Sequence, residues 1–101
     1  MTRIELAPEV ADDFDRIVAH LEMHAATDGA ERLREIVAAL DILQTSPLIG
    51  RPAAGGKREL VIGRRSHGHV ALYRYVPDID IVFVLAVRAQ REAGFVRESG
   101  I

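Results

Sequence analysis

Apolar side chains recur along the chain at two different periods, and the changes from one to the other mark out its elements. Ile4-Glu5-Leu6 alternates apolar and polar, which predicts a short strand over residues 2–7, stopped by Pro8. Pro8 also suits the first turn of a helix, where a backbone N–H would find no partner in any case. Val10, Phe14, Ile17, Val18 and Leu21 follow at helical spacing, while Asp12, Asp13, Asp15 and Glu22 take most of the remaining positions. An amphipathic helix is expected over about residues 8–25. Thr27-Asp28-Gly29 breaks the pattern, and Glu31, three residues after Asp28, completes a capping-box arrangement in which Asp stands in for Ser or Thr. The second helix carries the stripe Ala30, Leu33, Ile36, Val37, Leu40 and Leu43, and Ser46-Pro47 ends it. Two helices with a short connection form an antiparallel hairpin whose joint apolar face needs a sheet to cover it.

Residues 47–57 hold two Pro and three Gly, which predicts a loop and the most mobile segment of the chain. Three strand-like runs follow: Arg58 to Ile62, Val70 to Val76, and Ile81 to Arg88. Their short connections fit an antiparallel meander. The last run, Ile81-Val82-Phe83-Val84-Leu85-Ala86-Val87, is apolar without alternation, the pattern of a central strand covered on both faces. The fold class expected is therefore α+β, a helical hairpin on a small, mainly antiparallel sheet, in the order strand-helix-helix-strand-strand-strand. Residues 1–101 read as one domain without internal repeats.

Composition narrows the function. The chain has no cysteine, which excludes disulfides and thiolate metal sites, and no apolar run approaches the roughly 20 residues that span a bilayer. A cytoplasmic protein is expected. The net charge of −2 conceals an asymmetry: residues 1–50 carry a net −6 and residues 51–101 a net +4. Twelve of the thirteen basic residues are Arg, whose planar fork pairs bidentately with carboxylate or phosphate, so the second half of the chain suits an anionic partner surface.

Its candidate contacts are Arg58, Arg64, Arg65, Arg74, Arg88 and Arg91. Arg58 and Arg74 lie on predicted strands and Arg88 closes one, so alternation allows them to converge on one sheet face, with Glu59 available as a partner. Arg64 and Arg65 fall in a turn, where a solvated charge is the plainer reading. His20 and His24, four apart on the first helix, can share a face, but Leu21 stands where the zinc-protease pattern needs Glu and no third ligand is evident. No metal and no cofactor are expected. His67 and His69 sit in the meander turn, either as an acid–base group or, more plainly, as solvent-exposed histidines. Sheet packing explains Tyr73 and Tyr75 at least as well as base stacking does. Gly55-Gly56-Lys57 lacks the spacing of a phosphate-binding loop.

The opening strand running into Pro8, the Pro47-Leu48-Ile49-Gly50-Arg51-Pro52 loop, Arg58-Glu59-Leu60-Val61-Ile62, Val70-Ala71-Leu72-Tyr73-Arg74-Tyr75 and Val87-Arg88-Ala89-Gln90-Arg91-Glu92-Ala93-Gly94-Phe95 together resemble the RelE/ParE superfamily of type II toxins, the plasmid stabilisation proteins. The resemblance covers nearly the whole chain. It implies a small toxin silenced by a cognate antitoxin, a segment of which wraps the toxin as a helix and strand laid over the hairpin and the sheet. RelE-like members cleave mRNA in the ribosomal A site; ParE-like members act on DNA gyrase and have no known nuclease activity.

Cutting RNA without a metal requires a base for the 2′-hydroxyl, a donor for the leaving oxygen and cations for the charge on phosphate. Aligned on the RelE-like pattern, an Arg at the head of the second meander strand falls on Val70, a second falls near Gln90, and the tail Tyr falls near Phe95. A shift of one residue brings Arg91 into the second place. The resemblance thus favours the ParE-like branch, a non-catalytic gyrase inhibitor with Arg58, Arg64, Arg65, Arg74, Arg88, Arg91 and Phe95 as target- or antitoxin-binding residues. The alternatives are a ribosome-dependent mRNA endonuclease using Arg58, Arg74, Arg88 and Arg91, or a non-toxic binding module.

Overall fold

The structure, a computed structural model, describes residues 1–24, 29–63 and 68–90. Strand β1 (Arg3–Leu6) leads into helix α1 (Pro8–His24) and helix α2 (Gly29–Leu40), which tightens into a 3₁₀ turn at Asp41–Gln44. Strands β2 (Arg51–Ala53), β3 (Lys57–Ile62), β4 (His69–Val76) and β5 (Ile81–Ala89) follow. They form a five-stranded sheet in the order β1-β5-β4-β3-β2, parallel between β1 and β5 and antiparallel elsewhere. The expected α+β architecture and element order hold, with β2 as an addition inside the segment expected to be loop. Three residues containing Pro52 give no strand signal, and a proline is tolerated there because β2 is a sheet edge.

The hairpin packs on one face of the sheet. Val10 and Ile17 from α1, Ile36 and Leu40 from α2, and Leu43 beyond it are buried against Tyr73, Ala71, Val82, Val84 and Val87. The helices approach closely at Gly29, where an added Cβ would lie 3.1 Å from Val18 of α1. The capping arrangement read at Asp28 lies outside the described residues. Thr2 and the β4–β5 turn fasten β1 in place: Thr2 Oγ1 donates to Asp80 Oδ1 (2.6 Å), and the Arg3 amide donates to the Asp80 carbonyl (3.2 Å). Asp80 takes a positive φ of 54°, which the short polar side chain of Asp tolerates in a turn.

β5 is an interior strand, flanked by β1 and β4, but among the described residues no helix covers its second face. The uninterrupted apolar run has a different cause. Tyr73 pairs with Val84 and Leu72 with Ala86, so Leu85 is an extra residue that shifts the alternation by one. Val82 and Val84 point into the core before this bulge and Val87 after it, while Ile81, Phe83, Leu85 and Ala86 remain half-buried.

Candidate open sheet face and its arginines

Register decides where the predicted arginines go. Arg58 pairs with Tyr73, so its side chain starts on the helix-covered side of the sheet; Arg74 is the neighbour of Tyr73 and takes the opposite side. The convergence of Arg58 with Arg74 allowed by alternation therefore does not occur. Arg88 shares the open face with Arg74, but it pairs with Val70, four residues away along β4, a separation of roughly 13 Å at about 3.3 Å per residue.

Two of the three are occupied in holding the segment between α2 and β3. The Arg58 guanidinium donates to the carbonyls of Leu48 (3.2 Å) and Gly50 (2.7 Å), and Arg74 donates to the carbonyl of Gly55 (2.8 Å) from the other side. The fully buried Tyr73 hydroxyl accepts from the Gly50 amide at 2.8 Å. A Cβ on Gly50 would sit 2.7 Å from the Tyr73 ring, so only glycine fits. The segment expected to be the most mobile is instead tied to the sheet by these bonds. Two strand arginines and a buried tyrosine hold what a count of Pro and Gly reads as slack.

Other expectations also change. Glu59 forms an ion pair with Arg51 across β2 and β3 (3.2 Å), an arginine outside the predicted contact group. His69 is buried as the first residue of β4 rather than exposed in a turn, because its side chain shares the covered face with Ala71 and Tyr73. Tyr73 is core, and Tyr75 donates to Asp80 Oδ1 at 2.8 Å. The bond from Thr2, and then this one, hold the Asp80 carboxyl below the usual carboxylate range, and the bond to Asp80 raises the Tyr75 phenol. Arg64, Arg65, His67, Arg91 and Phe95 lie outside the described residues. His20 is exposed on α1, and no three His, Asp or Glu side chains group as metal ligands among the described residues.

The open face thus has a half-buried apolar centre of Leu72, Phe83, Leu85 and Val76, with charges around it. Glu5 is paired with Arg3 (3.0 Å) and Glu59 with Arg51, so the acids here are matched. Arg88 is exposed and takes no hydrogen bond or ion pair among the described residues. At the two positions aligned with RelE-like arginines, Val70 is an aliphatic side chain only 4% exposed, and the half-buried Gln90 has a buried side-chain oxygen without a partner among the described residues. Away from this face, a groove of about 310 Å³ between β1 and α2 is lined in part by the exposed Leu6 and Val37.

The family model for the ParE toxin of the type II toxin-antitoxin system parDE matches residues 4–94. The chain belongs to the ParE toxin family. Its fold is similar to the chromosomal ParDE system of P. aeruginosa, at 22% identity, a TM-score of 0.72, and 88% and 96% coverage of this chain and of that one. It is also similar to the intact E. coli RelBE toxin-antitoxin complex, with 14% identity, a TM-score of 0.62 and coverages of 88% and 96%. The RelBE2 toxin-antitoxin complex of Mycobacterium tuberculosis gives 17% identity, a TM-score of 0.59 and coverages of 88% and 98%. No curated sequence matches the chain. The protein is thus a ParE-family toxin of a type II toxin-antitoxin system, and no helix among its described residues is long and apolar enough to cross a membrane.

Proposed function

We propose that this toxin acts in the cytoplasm on DNA gyrase, through protein contacts rather than by cutting RNA, and that a cognate antitoxin silences it by covering the open sheet face and the groove beside β1. The observation that carries this reading is the character of Val70 and Gln90. A buried valine cannot supply the positive charge that phosphate cleavage needs, and an amide is no substitute for a guanidinium. The tethering of Arg58 and Arg74 to backbone carbonyls supports the same reading, since each guanidinium already has a structural use. The apolar centre of the open face, with Arg88 exposed at its margin, suits a protein surface with acidic and apolar groups. An antitoxin that binds only the folded toxin raises its melting temperature through linkage.

The test is induction of the full chain in bacteria, with and without the neighbouring reading frame, scoring growth, DNA supercoiling and mRNA integrity. Growth arrest with gyrase-type DNA damage and intact messages is the expected result. Messages cut at the A site would assign the function to Arg74, Arg88 and Arg91 as catalytic groups, and absence of arrest would leave a non-toxic binding module.

A further inference from the structure

Asp13 breaks the amphipathic logic of α1. It sits one turn after Val10 and four residues before Ile17, on the buried side of the helix, and is only 5% exposed. A carboxylate buried in this way is costly unless it is hydrogen-bonded. Its Oδ2 accepts from the backbone amide of Val87, 3.0 Å away and 74 residues along the chain, and its Oδ1 accepts from Arg16 at 3.1 Å.

The Val87 amide needs such an acceptor because β5 outruns its neighbour. β1 pairs with Ile81 to Val84 and ends, while β5 continues to Ala89. Past the bulge at Leu85, the Val87 N–H is directed to the side on which β1 has already ended, and Asp13 supplies the acceptor. The direction of an amide and the face taken by its side chain are coupled in a strand, so a slip of one residue here would exchange Val87 and Arg88 between core and open face.

We propose that Asp13 is a register pin: its carboxylate selects the phase of the second half of β5, keeping Val87 in the core and presenting Arg88 on the open face. Asp13 is then a positioning residue for the toxin's target contact, a consequence that rests on the reading of Arg88 given above.

Two measurements on the full chain separate the pin from that reading. In the wild type, a scalar coupling across the hydrogen bond from the Val87 nitrogen to the Asp13 carboxyl carbon is expected; its absence overturns the pin without any variant. In Asp13→Leu, which keeps the side-chain bulk and removes both acceptors, amide exchange at Val87 should accelerate at least tenfold more than at Val82 and Val84. Asp13→Asn, which retains one acceptor oxygen, and Arg16→Ala, which leaves the carboxylate in place, should both stay near wild type. Equal exchange in Asp13→Leu and wild type overturns the proposal. For function, the double variant of Asp13→Leu with Arg88→Ala should inhibit growth no less than Arg88→Ala alone, because the first acts through the second. Additive losses overturn the positioning role, whereas undiminished arrest by Arg88→Ala discards Arg88 as the target contact and leaves the exchange result to decide the pin.

Discussion

The two faces of the sheet differ in what holds their side chains. On the covered face every large residue has a fixed neighbour: Tyr73 lies under Gly50, Val87 is held through Asp13, and Leu43 and Ile36 close the hairpin over the strands. On the open face Leu72 and Phe83 are half-buried, and Arg88 stands free among the described residues. Among the described residues the helices form one layer, on the side of Tyr73 and Val87, and no helix lies on the other side of the sheet. With the open face as the binding surface proposed above, stability and recognition fall to opposite faces of the same strands, and substitutions should sort accordingly.

The largest effect should come from emptying the covered face. Leu43→Ala leaves a cavity at a fully buried site and should cost about 2–5 kcal/mol in denaturant unfolding of the purified chain. An effect as small as that of an open-face substitution would break the division between the faces. Gly50→Ala should follow at about 1–3 kcal/mol, since its Cβ must displace the Tyr73 ring or the Glu59 carbonyl, both within 2.8 Å.

A smaller contribution comes from Asp80 at the sheet margin. Its folded pKa is depressed, so the stabilisation is present above the unfolded value of about 3.9 and is lost as pH falls through the folded value. Wild type and Asp80→Asn should differ in melting temperature at pH 6 and converge toward pH 3. Tyr75 has the opposite sign: its raised pKa gives stability that is complete below about 10 and lost as pH rises beyond that. The smallest effect on folding is expected for Arg88→Ala, within about 0.5 kcal/mol, although this substitution should weaken the toxin's partner contacts. Unfolding and growth arrest measured on the same variant would show whether the open face serves recognition alone.

Much of this fold was legible because its periods are clean. The helical spacing of Val10, Ile17 and Leu21 and the alternation at Ile4 and Leu6 answer to geometry within a few residues. The candidate site was legible as a set of arginines in the basic half, but not as an arrangement. Whether Arg58 and Arg74 share a face depends on which side of the sheet the hairpin covers, and the tethering of residues 47–57 depends on Tyr73, 23 residues beyond Gly50. Asp13 has a local signal, its spacing from Val10 and Ile17 on the apolar side of the helix, but its partner does not, since Val87 lies 74 residues away.

By itself the sequence determined the two helices, four of the five strands, their order, the interior place of the last strand and the resemblance to the toxin superfamily, all of which follow from local spacing and the order of short motifs. The tertiary structure decided β2, the bulge at Leu85, the burial of Asp13 and His69, and the use of Arg58 and Arg74 as tethers rather than as a cluster. These depend on register between strands distant in sequence, where a shift of one residue reverses the face of every side chain.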